Sequence, residues 1–218
     1  EIRFDKRKAA GILKIGIPSA FQYSLFAFAN LFVQSSVNSF DHVLVEGNSA
    51  AANADPLVYD MMAAFYTACS SFIAQNFGAR KKKRILQTYL ICLFYSFITS
   101  LVLGVGIYLA RYPFLYLFTS DKAVVEAGIT RLSIMALSYS ASAFMDASIA
   151  ASRGLGKTAV PTFVVVMGSC VFRIIWIYTI FAYFHTIQSL YILYVFSWGI
   201  TAIAENIYFF HVYRHTLT

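Results

Sequence analysis

The apolar residues of this chain come in six long runs, not in the short alternations of a half-buried sheet. A membrane-spanning helix needs about 20 such residues, and the runs fall at roughly 16–40, 50–76, 85–110, 128–151, 159–183 and 188–211. None alternates with the two-residue period of a strand. The pattern predicts an all-α integral membrane protein, a bundle of six transmembrane helices. Turn and charge signals separate the runs: "NSFDHVLVEGNS", "GARKKKR", "RYPFLYLFTSDKAVVEAG", "RGLGKT" and "FHTIQS". The third of these reads as a short interfacial stretch. The opening "EIRFDKRKAAGILK" is basic and amphipathic, and reads as an interfacial helix or a cytoplasmic linker. The expected organisation is a linker over 1–15, a membrane unit over 16–212 and a tail over 213–218.

Composition agrees. The chain is 59% hydrophobic and 12% charged, with a mean hydropathy of +0.66. A soluble domain carries about twice that share of charge. The net charge of +7 does not point to nucleic acid. The basic residues flank the apolar runs, and no basic stripe with interleaved aromatics lies on a polar domain. Six spans put both ends of the chain on one side. That side holds Arg3, Lys6, Arg7, Lys8, Lys14, Arg80 to Arg84, Arg153, Lys157 and Arg214. The other side and the spans share Arg111, Lys122, Arg131 and Arg173. The imbalance predicts cytoplasmic termini. Cys69, Cys92 and Cys170 lie inside apolar runs and read as buried free thiols. No cleavable signal peptide is visible. The chain opens on Glu1, so the expectation is a piece of a longer protein.

"AASRGLGKTAVP", residues 150–161, ends its glycines in Gly-Lys-Thr as phosphate-binding loops do. The strict loop needs a further glycine where this chain has Ala151, and a strand before it. Neither condition is met. The stretch reads instead as a tight cytoplasmic turn between two helices. Gly154 and Gly156 can end a helix in a left-handed conformation, and Arg153 and Lys157 hold the turn at the charged inner surface. Pro161 belongs in the first turn of the next helix. A similar turn follows the second run, with Gln75, Asn76 and Gly78 ahead of the basic cluster. The ends "SSFIAQNFGARKKKRI" and "DASIAASRGLGKTAVP" echo one another, as loosely similar three-helix units would.

Ionisable groups inside a span are costly and usually face a cavity or a partner. Asp60, Asp146, Arg173 and Glu205 are such groups, with Asp55 and Arg131 nearer the outer ends. Asp60 and Arg173 fall at similar depths, outward of their midpoints, and are expected to pair as a structural lock. Asp146 and Glu205 both lie inward. They either share a site or each meet Arg153, which stands on the same helix face as Asp146. Asp146 is the preferred ion-coupling carboxylate, because its helix is rich in Ser and Ala. Glu205 stays open between coupling and structural pairing, and Asp60 is a third candidate for ion coupling. Gln22, Asn30, Gln34, Asn38, Asn53, Tyr139 and Arg173 are the candidates for a substrate cavity. Most aromatics read as interfacial belts and lipid-facing bulk. Tyr139, Phe144, Phe65 and Tyr66 lie deep enough to line a pocket for a flat cation. Neither HExxH nor GxSxG occurs, no metal spacing is visible, and the four histidines sit near span ends. The chain is therefore not expected to be an enzyme or to hold a metal or other cofactor.

These stretches together resemble the C-terminal half of the MATE family of multidrug and toxin extrusion transporters. "GIPSAFQYSLFAFANLFVQSSVNSF" is similar to the opening helix of that half. "EGNSAAANADPLVYDMMAAFYTACSSFIAQNFGARKKKRI" carries the most specific likeness, in its Gly-Asn, Ala-Ala-Asn and Gln75-Asn76-Phe77-Gly78-Ala79. "FMDASIAASRGLGKTAVPT" resembles the end of the fourth helix. "GSCVFRIIWIYTIF" and "SLYILYVFSW" complete the pattern. Members of this branch often carry Tyr-Pro-x-Ser-Trp at the last site, where this chain has Tyr194-Val195-Phe196-Ser197-Trp198, without the proline. The resemblance implies efflux of organic cations in exchange for sodium or protons, by alternating access between two six-helix lobes. It implies that this chain is one lobe of a twelve-helix transporter, partnered by an N-terminal lobe and the lipid bilayer. It also implies a bacterial inner (plasma) membrane. Asp146 matches the Met-Asp of this branch. Other branches carry the acid one turn earlier, where Ser142 stands. Two other functions remain in view. A lipid-linked oligosaccharide flippase of related fold would need a cationic central cavity for pyrophosphate. A six-helix partner module would not transport at all.

Overall fold

The computed structural model describes residues 5–216. Arg3, residues 1–4 of the expected linker and 217–218 of the expected tail lie outside the described residues. Helix α1 runs over Lys6–Val37. The carboxylate of Asp5 caps it, accepting from the amides of Arg7 at 2.9 Å and Lys8 at 3.2 Å. No break separates the amphipathic opening from the first span, because the intervening residues are compatible with a helix and Asp5 starts it early. Helix α2 covers His42–Ala52 and α3 covers Ala54–Gly78. The side chain of Asp41 caps α2 by accepting from the Leu44 amide at 2.9 Å. That cap turns the second half of the expected connector "NSFDHVLVEGNS" into helix. The break between α2 and α3 has a covalent cause. Pro56 has no N–H to give the carbonyl of Ala52, and Asn53 folds its amide back onto the carbonyls of Ser49 and Ala50, each at 3.1 Å.

Helices α4 (Lys82–Leu109), α5 (Arg111–Tyr116), α6 (Lys122–Gly154), α7 (Ala159–Phe184) and α8 (Ile187–Arg214) follow. The short α5 occupies the expected interfacial stretch, and Arg111 lies 4.7 Å over the ring of Tyr108. Among the described residues, six helical units are long and apolar enough to cross a membrane: α1, α2 with α3, α4, α6, α7 and α8. Connections at one end carry the basic residues, and this is called the basic end below. All three cysteines are free and buried.

Helix α6 is the axis of the bundle. It packs against α2, α3, α4, α5, α7 and α8, and 67% of its most apolar window is buried. Small residues let its neighbours approach closely. At Gly104 of α4 a Cβ would collide with the carbonyl oxygen of Ala136. At Gly154 a Cβ would lie 2.7 Å from the carbonyl oxygen of Ser70 on α3. Gly154 therefore serves close packing inside the helix, not the left-handed turn expected of it. Gly156 takes that role with φ of 75°. In the matching turn the left-handed residue is Arg80, with φ of 56°, beyond Gly78 at the end of α3.

Helix α7 is not regular. Wide π-helical turns over Val166–Val171 and Ile177–Phe181 bracket Phe172–Trp176, the segment that carries Arg173. Helix α8 is continuous from Tyr194 to Trp198, where this chain lacks the proline.

Candidate functional site

Helices α1, α2, α3, α6, α7 and α8 enclose a cavity of about 530 Å³. Its wall is mixed. Tyr59, Tyr66, Tyr191, Tyr194, Phe26 and Trp198 supply aromatic surface, and Gln22, Asn30, Gln34, Asn48, Asp55, Arg131, Asp146 and Arg153 supply polar groups. Such a site suits an amphiphilic ligand, with apolar bulk for area and a few polar groups for orientation.

The half of the cavity away from the basic end carries an arginine–carboxylate pair in its wall. Arg131 is buried on α6. Its Nη1 donates to Oδ1 of Asn48 at 2.8 Å and its Nη2 to Oδ2 of Asp55 at 2.5 Å. The hydroxyl of Tyr139 donates to the other Asp55 oxygen at 2.5 Å. Two residues of α6 thus hold the carboxylate that follows the α2–α3 break. Among the described residues this is the one ion pair within 4.0 Å. Tyr139 is itself fully buried and does not line the cavity; it orients Asp55.

At mid-depth, Arg173 is fully buried and faces no carboxylate. Its Nη1 donates to Oδ1 of Asn30 at 2.7 Å and its Nε to Oγ of Ser197 at 3.3 Å. The guanidinium lies 4.6 Å from the ring centres of both Phe26 and Tyr194. Aromatic faces attract a cation held this close, which compensates part of the lost hydration. Arg173 therefore stands directly behind three cavity residues.

Nearest the basic end, Arg153 occupies the last turn of α6 but turns back into the cavity. Its Nη2 donates to Oε1 of Gln22 at 2.9 Å. Asp146 lines the same part of the cavity, half-buried, with no hydrogen bond or ion pair to another described side chain. Among the described residues, neither Asp146 nor Glu205 forms an ion pair with Arg153 within 4.0 Å, so the expected pairing does not form. Glu205 lies outside the cavity, fully buried, and neither carboxylate oxygen has a partner.

Several expected residues lie elsewhere. Asp60 is exposed on α3, away from the cavity, and its expected pairing with Arg173 does not form. Gln34 lines the cavity and donates to Asn38 at 2.9 Å, but Asn38 does not line it. Asn53 is used at the helix break. Gln75, Asn76 and Gly78 end α3 at the basic end, where the Asn76 amide donates to the carbonyl of Phe72 at 2.9 Å. Phe65 stacks on Tyr95, and Phe144 packs on Phe97, both away from the cavity. The sequence reading missed Asn48 and Asp55 as cavity groups. Asp55 had a usable signal, because Pro56 beside it marks a broken helix at membrane depth.

A six-helix membrane unit around one central helix, with a polar, arginine-bordered cavity, has the form of one lobe of a membrane transporter. Residues 18–179 match the MatE family, and the chain belongs to that family, whose members are transporters and not enzymes. Its fold matches a MATE crystal structure in the straight conformation with a TM-score of 0.90 at 18% identity, covering 98% of this chain and 48% of that one. The Vibrio cholerae MATE transporter VcmN in its bent form gives 0.83 at 18% identity, with coverages of 98% and 49%. A MOP superfamily transporter from Pyrococcus furiosus, described as having a binding pocket of reverse polarity, gives 0.70 at 19%, with coverages of 91% and 43%. The chain spans about half the length of the transporters it matches. No curated protein matches it.

Proposed function

We propose that this chain is the C-terminal lobe of a multidrug efflux antiporter that exchanges organic cations for sodium or protons. It works by alternating access against an N-terminal six-helix lobe, in a bacterial inner membrane with both termini in the cytoplasm. The observation that carries the coupling role is Asp146: a carboxylate in the cavity wall with no hydrogen bond to any described side chain, beside a guanidinium engaged elsewhere. An unpaired acid at this depth is an exchange group by physical default. The aromatic wall suits a flat amphiphilic cation, with Trp198 offering a buried indole N–H that has no partner of its own. On this reading Gln75, Asn76, Gly78, Arg153, Gly154 and Gly156 form the cytoplasmic ends of α3 and α6. The flippase alternative draws less support, because Asp55 neutralises Arg131 and Arg173 stands behind the wall.

The test is efflux of a fluorescent organic cation by the complete transporter, driven by an imposed ion gradient. Asp146→Asn is expected to abolish gradient-driven efflux while leaving the protein folded in the membrane. Unchanged efflux would remove Asp146 from the coupling role.

A further inference from the structure

A second cavity, of about 510 Å³, lies between α4 and α8, which both pack on α6. It shares no lining residue with the central cavity. Phe97 of α4, Phe144 of α6 and Gly199, Ile203 and Ile207 of α8 line it. Ile203 and Ile207 are 63% and 66% exposed, so the cavity is a groove open along α8. Its few polar groups are engaged or withdrawn. The Asn206 amide donates to the carbonyls of Ala202 at 2.8 Å and Phe144 at 3.4 Å, and its Oδ1 accepts from Tyr89 at 2.6 Å. The hydroxyl of Ser140 is buried. The groove thus offers apolar contact rather than polar recognition.

Gly199 deepens this groove. Glycine is a poor helix former, and close packing explains it at Gly104 and Gly168, where a Cβ would strike the Ala136 carbonyl and the Thr201 side chain. No atom lies within 4 Å of a Cβ placed on Gly199. The space its side chain would fill belongs to the groove. The groove also has the depth of one leaflet. Fifteen residues separate Gly199 from Arg214, and fifteen separate Phe97 from Lys82 on antiparallel α4, about 22 Å along each helix. One leaflet with its headgroup region measures about 20–22 Å. With Lys82 and Arg214 among the headgroups, the groove ends at the bilayer midplane, as an acyl chain does. A spanning partner helix would need a contact through both leaflets.

Charge marks the other end. Nζ of Lys82 donates to the Arg214 carbonyl at 2.9 Å and lies 5.6 Å from the centre of the Tyr213 ring. That leaves two of its three N–H donors for a ligand. Lys83, Arg84 and Arg214 are exposed around it. No Asp or Glu occurs on α4, and none follows Glu205 in the sequence. Among the described residues none of these four cations has an ion pair. Uncompensated cations at the end of a span attract anionic lipid.

We propose that the α4–α8 groove is a binding site for one anionic phospholipid. An acyl chain fills the groove from Ile207 to Gly199, and the phosphate lies against Lys82 and Arg214. The lipid joins two helices that meet each other only near the basic end, through the Lys82–Arg214 and Tyr89–Asn206 hydrogen bonds. The site is independent of the central cavity and of the antiporter reading.

The test uses the complete protein. Native mass spectrometry from detergent measures its binding of dioleoylphosphatidylglycerol against dioleoylphosphatidylcholine. The anionic lipid is expected to bind at least fivefold more tightly. Gly199→Leu, which fills the groove without meeting a neighbour, should weaken that binding at least fivefold. Lys82→Gln with Arg214→Gln should reduce it to the level of phosphatidylcholine. Gly106→Leu, also in open space but outside the groove, should leave it unchanged. A second measurement needs no variant. Phosphatidylglycerol with a photoreactive diazirine at its acyl-chain end, in nanodiscs of the parent protein, should label the α8 peptide holding Gly199 and Ile203. Equal binding of the two lipids, full binding in Gly199→Leu, or label spread evenly over all lipid-facing helices overturns the proposal. So does a dimer that Gly199→Leu dissolves, which would make the groove a contact between copies of the protein.

Discussion

Arg153 reaches across the floor of the cavity and donates to Gln22 at 2.9 Å, tying the end of α6 to the middle of α1. A second arginine does the same higher up, where Arg173 donates to Asn30 at 2.7 Å. Helix α1 needs such ties, since only 12% of its most apolar window is buried. Hydrogen bonds to charged groups contribute about 1.5–3 kcal/mol each. Replacing Gln22 and Asn30 together by Leu is expected to speed amide exchange in α1 at least tenfold, with α4 and α6 unchanged. Hydrogen-exchange mass spectrometry in detergent checks this; an unaltered α1 would mean that apolar packing alone holds it.

The Arg131–Asp55 pair makes a different kind of prediction. Removing one member of a buried pair leaves the other uncompensated, at a cost of about 3–5 kcal/mol. Asp55 keeps 26% of its side chain exposed, so Arg131→Met should fall near the lower bound, about 3 kcal/mol. Replacing both, with Asp55→Leu added, should recover most of that loss. Chemical unfolding of the single and double variants decides it, and additive losses would argue against the pairing.

Two glycines on α4 form an internal control. Gly104 abuts the Ala136 carbonyl, whereas Gly106 has open space around its missing Cβ. Gly106→Ala should stabilise the helix by up to about 1 kcal/mol through propensity. Gly104→Ala should destabilise by about 1–3 kcal/mol through overpacking against α6. Thermal unfolding of the two variants should therefore shift in opposite directions.

Much of the fold was legible because membrane helices write themselves in hydropathy. The six runs became six spanning units, and the Asn53–Pro56 region carried its own breaker. Pairings were less legible. Depth along separate helices placed Asp60 level with Arg173, but depth says nothing of which way a helix is rotated. Asp60 is exposed, while Arg173, between the two π-helical turns of α7, donates to Asn30. Arg153 was placed in the turn because it sits at a helix end, yet a long arginine side chain can reach back by more than a helical turn. Gly154 carried the signature of a turn glycine and serves close packing instead. That distinction lives in the neighbour's backbone, which no local pattern encodes.

The orientation proposed for the lobe has its own test. Single cysteines at Lys157 and Lys122, in a background lacking the buried cysteines, lie at opposite ends of α6 and its following turn. A membrane-impermeant maleimide added outside intact cells should label Lys122→Cys and spare Lys157→Cys. The reverse pattern would invert the topology.

The most apolar 18-residue stretch of α6 has a mean hydropathy of 1.2, the lowest of the six candidate spans among the described residues, against 2.3 for α4 and 2.0 for α7. Helix α6 also carries Arg131, Asp146 and Arg153. A charged residue opposes insertion by up to about 2.5–3.5 kcal/mol at a helix centre and by less toward the ends, so Arg131 and Asp146 weigh more here than Arg153 in the last turn. As a newly made segment, α6 is thus a poor passenger for entry into lipid by itself. Its strongly apolar neighbours in the chain enter readily and would hold it between them until its arginines reach Asp55 and Gln22, which are made earlier. The helix at the centre of the finished lobe is then the last to become a stable resident of the bilayer, and its assembly depends on partners made before it.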